Sequence, residues 1–165
     1  YLGIFIVSGR TFRCSFDNAK SRSFRAFNAI YSKVGCLASE EVILSLPRTK
    51  CLPILLYATE ACPLLVRTNH SFKFALTRVL MKIFRTSSSP IVKDCQHCFN
   101  LLPVQSQLMI RTGMFLQKFR ASLNSMCSLF SCNARSQLNA LFSQFDNVTT
   151  SQLKVTIHTS LFANE

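Results

Sequence analysis

The chain has 165 residues, and its 19 lysines and arginines against 7 aspartates and glutamates give a formal net charge of +12. An apolar content of 48% is typical of a chain that packs a core, which excludes an intrinsically disordered chain. The excess of positive charge favours a polyanionic partner, because self-repulsion otherwise destabilises the compact state. A basic globular domain without such a partner stays an open alternative.

The first fourteen residues, YLGIFIVSGRTFRC, predict a β-hairpin. An apolar run over residues 1–7 is the first strand, Ser8 and Gly9 are the turn, and residues 10–14 alternate polar with apolar. A lone two-stranded hairpin is marginally stable in water. We therefore expect a sheet that supports it, and we interpret that sheet as lying upstream of the residues given.

The next segment predicts a helix that is capped by Ser15 and runs to Val34, with Gly35 as the residue that ends it. Its apolar stripe consists of Phe16, Phe24, Phe27, Ile30, Tyr31 and Val34. Three cations fall on the opposite side: Arg22, Arg25 and Lys33.

ASEEVILSL predicts a second helix with Ser39 as its cap, which Pro47 breaks or kinks at Leu46. The apolar run over residues 52–57 fits either a helix with Pro53 in its first turn or a strand. The wider window CLPILLYATEACPLLV is interrupted by prolines and a glutamate, so it is too short to span a bilayer and predicts a core segment. We expect no membrane partner.

Residues 72–85 are apolar almost all round and predict a buried helix, on which Arg78, Lys82 and Arg85 share a ridge at i, i+4 and i+7. A Ser-Pro linker follows at 87–90, and a short helix is expected over 91–101.

The strongest helical period in the sequence covers residues 105–130, where Arg111 and Lys118 flank one side of an apolar stripe. That stripe consists of Leu108, Phe115, Phe119, Leu123, Met126 and Phe130. A last helix is expected over 135–145, and the tail fits a strand or a frayed end. The predicted fold is therefore mainly α: a helical bundle behind one N-terminal hairpin (1–14), with helical regions at 15–86 and 91–165 and a linker at 87–90.

Candidate catalytic groups are scattered. Two-metal nucleotidyl transfer needs carboxylates gathered around ions about 4 Å apart, whereas Asp17, Asp94 and Asp146 are far apart in sequence. The sequence contains no phosphate-binding glycine loop and no recognisable nucleophile motif. We expect no catalytic residue, no cofactor and no metal site in this chain.

The eight cysteines are too sparse for a disulfide scaffold. They predict reduced, mostly buried thiols in an intracellular protein, in the cytoplasm or the nucleus. Cys95 and Cys98 form a C-x-x-C motif, for which a zinc site stays open beside ordinary buried cysteines.

Four segments in this order resemble the region after the polymerase palm in LINE-type reverse transcriptases, which belong to retrotransposons without long terminal repeats. The segments are YLGIFIVSGRTFRCSFDNAKSRSFRAFNAIYSKVG, ASEEVILSL, KCLPILLYATEACPL and FALTRVLMKIFRTS. The similarity covers roughly residues 1–130 and is clearest over 1–86. It implies that Tyr1, Leu2 and Gly3 belong to the primer-grip hairpin, and that residues 15–86 are a helical thumb that holds a template-primer duplex by its backbone.

The resemblance also implies a parent RNA-directed DNA polymerase that uses magnesium, whose palm and catalytic Asp-Asp strand lie outside this sequence. We expect the chain alone to bind nucleic acid through phosphates without polymerising, with the eight cations Arg22, Arg25, Lys33, Arg78, Lys82, Arg85, Arg111 and Lys118 as contacts. A helical protein-interaction module and a decayed fragment without function stay open.

The chain departs from the family pattern at two positions. It has Tyr57-Ala58 where the family usually has Tyr-Gly, and it has Pro47 where the family has an unbroken helix. A proline in a helix interior costs about 3 kcal/mol. Both departures suit a copy under no selection.

Overall fold

A hairpin followed by helices is the observed architecture, in agreement with the predicted mainly α fold. The computed structural model describes residues 4–35, 37–62 and 64–143. Strands β1 (Phe5–Val7) and β2 (Arg13–Ser15) pair antiparallel with Ile6 opposite Cys14. The predicted turn at Ser8 and Gly9 lies within a longer connection over residues 8–12.

The first helix, α1 (Asp17–Val34), begins one residue later than predicted and has Phe16 rather than Ser15 at its N-cap, because Ser15 belongs to β2. The Ser15 hydroxyl donates to Asp17 Oδ2 at 3.0 Å and accepts from the Asp17 N–H at 3.4 Å, so it still binds the first turn. Gly35 ends the helix as predicted but has φ −62°, outside the left-handed region. Its small size is needed instead, since a Cβ at this position would lie 2.7 Å from the Tyr31 carbonyl oxygen.

Pro47 interrupts the α-helical hydrogen bonding where the sequence predicted. Helix α2 (Glu40–Leu46) ends at the preceding residue, one π-helical turn follows over Pro47–Cys51, and α3 (Leu52–Leu55) continues. Proline has no N–H to donate four residues back, and the Leu52 N–H instead reaches the Pro47 carbonyl. The helical interpretation of residues 52–57 is thus confirmed for residues 52–55, residues 56 and 57 belong to a turn, and the strand alternative is wrong.

Helix α4 (Val66–Ile83) begins six residues earlier than predicted and is amphipathic rather than buried all round. Its buried positions are Phe72, Ala75, Leu76, Val79 and Leu80, whereas Phe74 is 65% exposed. Helix α5 (Ser89–Cys98) includes Ser89 and Pro90, which the sequence assigned to the linker, since proline fits the first turn of a helix.

The core of this part of the chain forms where α1, the π turn and α4 meet. Phe27, Cys51 and Val79 are buried together, and Phe24, Tyr31 and Ile83 pack against them. The predicted apolar stripe of α1 is therefore its packing face. Near the hairpin, the Phe16 and Phe72 rings meet edge to face with centroids 5.3 Å apart.

Arg48 in the π turn fixes the end of α5. Its guanidinium donates to the carbonyl oxygens of Phe99 and Asn100, each at 2.7 Å. The Phe99 ring also stacks on Phe84 with centroids 5.7 Å apart. A cation on the last carbonyls of a helix complements the negative end of its dipole.

The predicted long helix over 105–130 is wrong, because it is two helices: α6 (Val104–Ala121) and α7 (Ser125–Leu129). Asn124 caps α7 by accepting from the Met126 N–H at 2.9 Å, and this local bond favours a new helix start over continuation. The second half of the predicted stripe does not pack, since Leu123 is fully exposed and Met126 and Phe130 are more than half exposed.

Helix α8 (Ser131–Phe142) starts four residues before the predicted position and packs against α6. Leu116, Ala134 and Leu138 are buried together, with Phe115, Phe119 and Phe142 against them. The predicted strand or frayed end after 150 lies outside the described residues.

The chain divides into two compact units, residues 1–104 and 105–165. Helix α5 therefore belongs to the first unit, whereas the sequence grouped it with the C-terminal region. Of the seven described cysteines, which are all free, Cys51 alone is buried, so the prediction of mostly buried thiols is wrong. Among the described residues, no helix is long and apolar enough to cross a membrane.

Candidate functional site

One side of α1 carries three of the predicted phosphate contacts. Arg22, Arg25 and Lys33 are all exposed, and none has a hydrogen bond or ion pair with the residues that the structure describes. Their spacing of i, i+3 and i+11 places them on one side of a helix. At about 1.5 Å per residue the three cations extend over roughly 16 Å of the helix axis.

A groove lies beside this cationic face. It has a volume of about 630 Å³ and is lined by the hairpin end, α1, and α3 with the turn after it. Arg22 and Arg25 belong to its lining, together with Ile4, Ser15, Phe16, Ala19, Ala26, Pro53, Ile54 and Tyr57. No acidic residue is among these described lining residues.

Lys82 differs from the α1 cations because it joins two helices. Its ammonium donates to Asn28 Oδ1 at 2.8 Å and lies 5.5 Å from the Tyr31 ring centroid and 5.9 Å from that of Phe27. The Tyr31 hydroxyl donates in turn to the Lys82 carbonyl oxygen at 3.2 Å. These contacts attach α1 to α4, so Lys82 has a structural role in addition to its charge.

The predicted ridge of α4 is shorter than expected. Arg78 is exposed on α4, with its guanidinium carbon 5.9 Å from the Phe74 ring centroid. Arg85 lies past the end of the helix, at φ 51°. The i, i+4, i+7 spacing therefore does not place Arg85 beside Arg78 and Lys82, since that spacing requires helical backbone throughout.

In the second unit, Arg111 and Lys118 lie on α6 at i and i+7, nearly on one side of the helix. Lys118 is exposed, whereas Arg111 is half-buried and has an interaction within the protein. The predicted primer-grip residues Tyr1, Leu2 and Gly3 lie outside the described residues.

The first turn of α1 is held by charge. The Lys20 ammonium pairs with Asp17 Oδ1 at 2.6 Å and donates to the Ser71 hydroxyl on α4 at 2.8 Å. The hydrogen bond from Lys20, and after it that from Ser15, lowers the pKa of Asp17. Asp17 therefore has a structural role: its carboxylate pairs with Lys20 at the start of α1.

Two cysteines have thiols that are held protonated. Burial raises the pKa of Cys51 to about 11. Burial, and then the hydrogen bond with Cys14, raises the pKa of Cys62 to about 11. A nucleophilic or metal-binding cysteine needs a lowered pKa, so these two thiols are poorly suited to either role.

The described residues contain no group of three or more His, Cys, Asp or Glu side chains that could hold a metal ion. Cys95 and Cys98 lie on α5, a regular helix, with Cys98 exposed. Zinc ligands usually come from turns that converge on the ion. The C-x-x-C pair therefore lacks both the backbone and the further ligands of a zinc site within the described chain.

Comparisons with known proteins return no matching family model, no matching curated protein and no matching solved structure.

The sequence reasoning missed the wall of the groove that faces α1. Pro53, Ile54 and Tyr57 line it. Their spacing of i, i+1 and i+4 is the available signal, because it predicts one side of a helix, although α3 ends two residues before Tyr57. This spacing indicates a shared face only if the segment is helical, and the sequence alone left helix and strand open for residues 52–57.

Proposed function

We propose that the protein binds nucleic acid through backbone phosphates, without sequence readout, and that the cationic side of α1 is its principal contact. The observation that carries this proposal is the row formed by Arg22, Arg25 and Lys33, exposed and without partners in the described chain. Unpaired cations on a surface are available to phosphates, and phosphate contacts position a protein on a duplex without reading bases.

The dimensions of the row fit this role. It extends over roughly 16 Å, and phosphates follow one another at about 3.4 Å of axial rise along each strand of a duplex. The row can therefore reach several successive phosphates. Fourteen of the 19 cations and five of the seven carboxylates fall within residues 1–104, so the surrounding field is positive as well.

We further propose that the chain is the thumb and adjoining region of a LINE-type reverse transcriptase. The hairpin supports this proposal, because its apolar side chains are exposed: Ile6 is 68% exposed, and Phe5, Val7 and Phe12 are about half exposed. A palm sheet of the kind that the resemblance implies would cover them. On this proposal the chain is intracellular and does not polymerise by itself.

The proposal is tested by the salt dependence of binding to a labelled primer-template duplex. The logarithm of the affinity is expected to fall with the logarithm of salt concentration, by about 0.9 per phosphate neutralised. Replacing Arg22, Arg25 and Lys33 together by alanine is expected to lower that slope by about 2.7, from three contacts at about 0.9 each.

The matched control replaces Arg67, Lys73 and Lys93 by alanine, which removes the same charge from other exposed positions. It is expected to lower the slope less. Equal slopes for the two triple variants would show that net charge alone attracts the duplex. Undetectable binding, or primer extension by this chain with magnesium, would contradict the proposal.

A protein-interaction module is the second candidate, because Leu65, Val66 and Phe74 on and before α4 are more than half exposed. Apolar docking survives high ionic strength, whereas phosphate contacts weaken. Binding of a polypeptide that persists at high salt, with no affinity for the duplex, would favour this candidate.

A further inference from the structure

We propose that the groove between α1 and α3 binds one nucleotide unit, as a free nucleoside phosphate or as the end of a nucleic-acid strand. The choice of a nucleotide among flat anions rests on the proposed function. The site itself rests on the shape, lining and charge of the groove.

The size of the groove sets the class of ligand. Its volume is about 630 Å³, within the range of roughly 300–1,000 Å³ that is usual for small-molecule sites. Ala19 and Ala26 leave this space, because these small side chains, two turns apart on one side of α1, do not fill the gap toward α3.

The lining combines apolar side chains with two cations. Phe16 is buried, and Ile54 and Ala26 are half-buried. These side chains offer apolar contacts to a flat ring such as a nucleobase. Tyr57 is 50% exposed and adds an aromatic ring to the wall. Such rings stack on every base, which gives affinity without sequence preference.

Arg22 and Arg25 supply the charge. Both residues line the groove, are exposed and have no partner among the described residues. A planar guanidinium matches a phosphate with two parallel N–H donors. Because no acidic side chain is among the described lining residues, an anion at this position is not repelled by a negative side chain of the groove.

The test titrates the full chain with four probes: adenosine, inorganic phosphate, adenosine monophosphate and a single-stranded tetranucleotide with a terminal phosphate. Adenosine monophosphate is expected to bind more tightly than adenosine or phosphate alone. If the tetranucleotide binds more tightly still, the source is a strand end. If adenosine monophosphate is the tightest of the four, the source is a free nucleotide.

Three variants decide which side chains act. Tyr57→Ala is expected to weaken adenosine monophosphate binding about tenfold, from the lower part of the range for one stacked base, whereas Tyr57→Phe retains the ring and the affinity. Arg22→Ala with Arg25→Ala is expected to reduce the affinity to that of adenosine. Ala26→Leu fills the groove without changing charge and is expected to abolish binding.

Arg67→Ala is the control, since it removes an exposed cation that does not line the groove. The site is overturned if phosphate binds as well as adenosine monophosphate, or if Tyr57→Ala and Ala26→Leu leave affinity unchanged while circular dichroism shows them folded. This failure is distinct from that of the proposed function, because duplex binding through the phosphates does not require Tyr57 or an empty groove.

Discussion

Replacing Ala58 by glycine is expected to stabilise the protein. Ala58 follows α3 with φ 56°, in the left-handed region. Its Cβ makes that conformation unfavourable by roughly 1–2 kcal/mol, and glycine has no such penalty. On the proposed relation to LINE-type reverse transcriptases, a glycine would be expected at this position.

The magnitude is the difference of two opposing effects. Glycine relieves roughly 1–2 kcal/mol of strain in the folded state, but it makes the unfolded chain more flexible, which costs about 0.4–1 kcal/mol. The free energy of unfolding should therefore rise by about 0.5–1 kcal/mol. For a protein of this length the corresponding rise in Tm is about 2 °C.

Urea unfolding of the wild type and of Ala58→Gly, followed by circular dichroism, measures the effect as a shift of midpoint at constant slope. The matched control is Ala61→Gly in the same connection, because Ala61 does not have a positive φ. This control is expected to lose about 0.4–1 kcal/mol. If both variants lose stability equally, Ala58 does not occupy the left-handed conformation and the reasoning is refuted.

Two further predictions concern α1 and its neighbours. Lys82→Ala is expected to lower the free energy of unfolding by about 1 kcal/mol, because it loses the hydrogen bond to Asn28 and the ring contact with Tyr31. Lys82→Arg is expected to retain most of this stability. Equal denaturation midpoints for wild type and Lys82→Ala would contradict the structural role. Between pH 9 and 11 the folded chain keeps the Cys51 proton that the unfolded chain loses, because the pKa is raised from 9.0 to about 11. The free energy of unfolding of the wild type should therefore fall across that range relative to Cys51→Ala, and parallel pH profiles of the two proteins would count against it.

Several features follow from the sequence alone because their causes are local. The apolar stripe of α1, the end of α2 at Leu46 and the hairpin depend on side-chain period, on the missing N–H of Pro47 and on strand propensity. A helix end is harder to predict when a single side-chain hydrogen bond to the backbone decides whether the helix continues. The cap of Asn124 divides the predicted helix over 105–130, although the apolar period continues through it.

The tertiary structure decided which cations are available. Charge alone does not distinguish Arg22 and Arg25 from Lys82 and Arg48. In the structure, Lys82 packs on two aromatic rings, and Arg48 binds the carbonyl oxygens that follow α5. Those partners are about fifty residues away in the chain. Arg22 and Arg25 are left exposed beside a groove whose far wall comes from α3. A local pattern cannot specify contacts between distant segments, because they depend on how the helices pack.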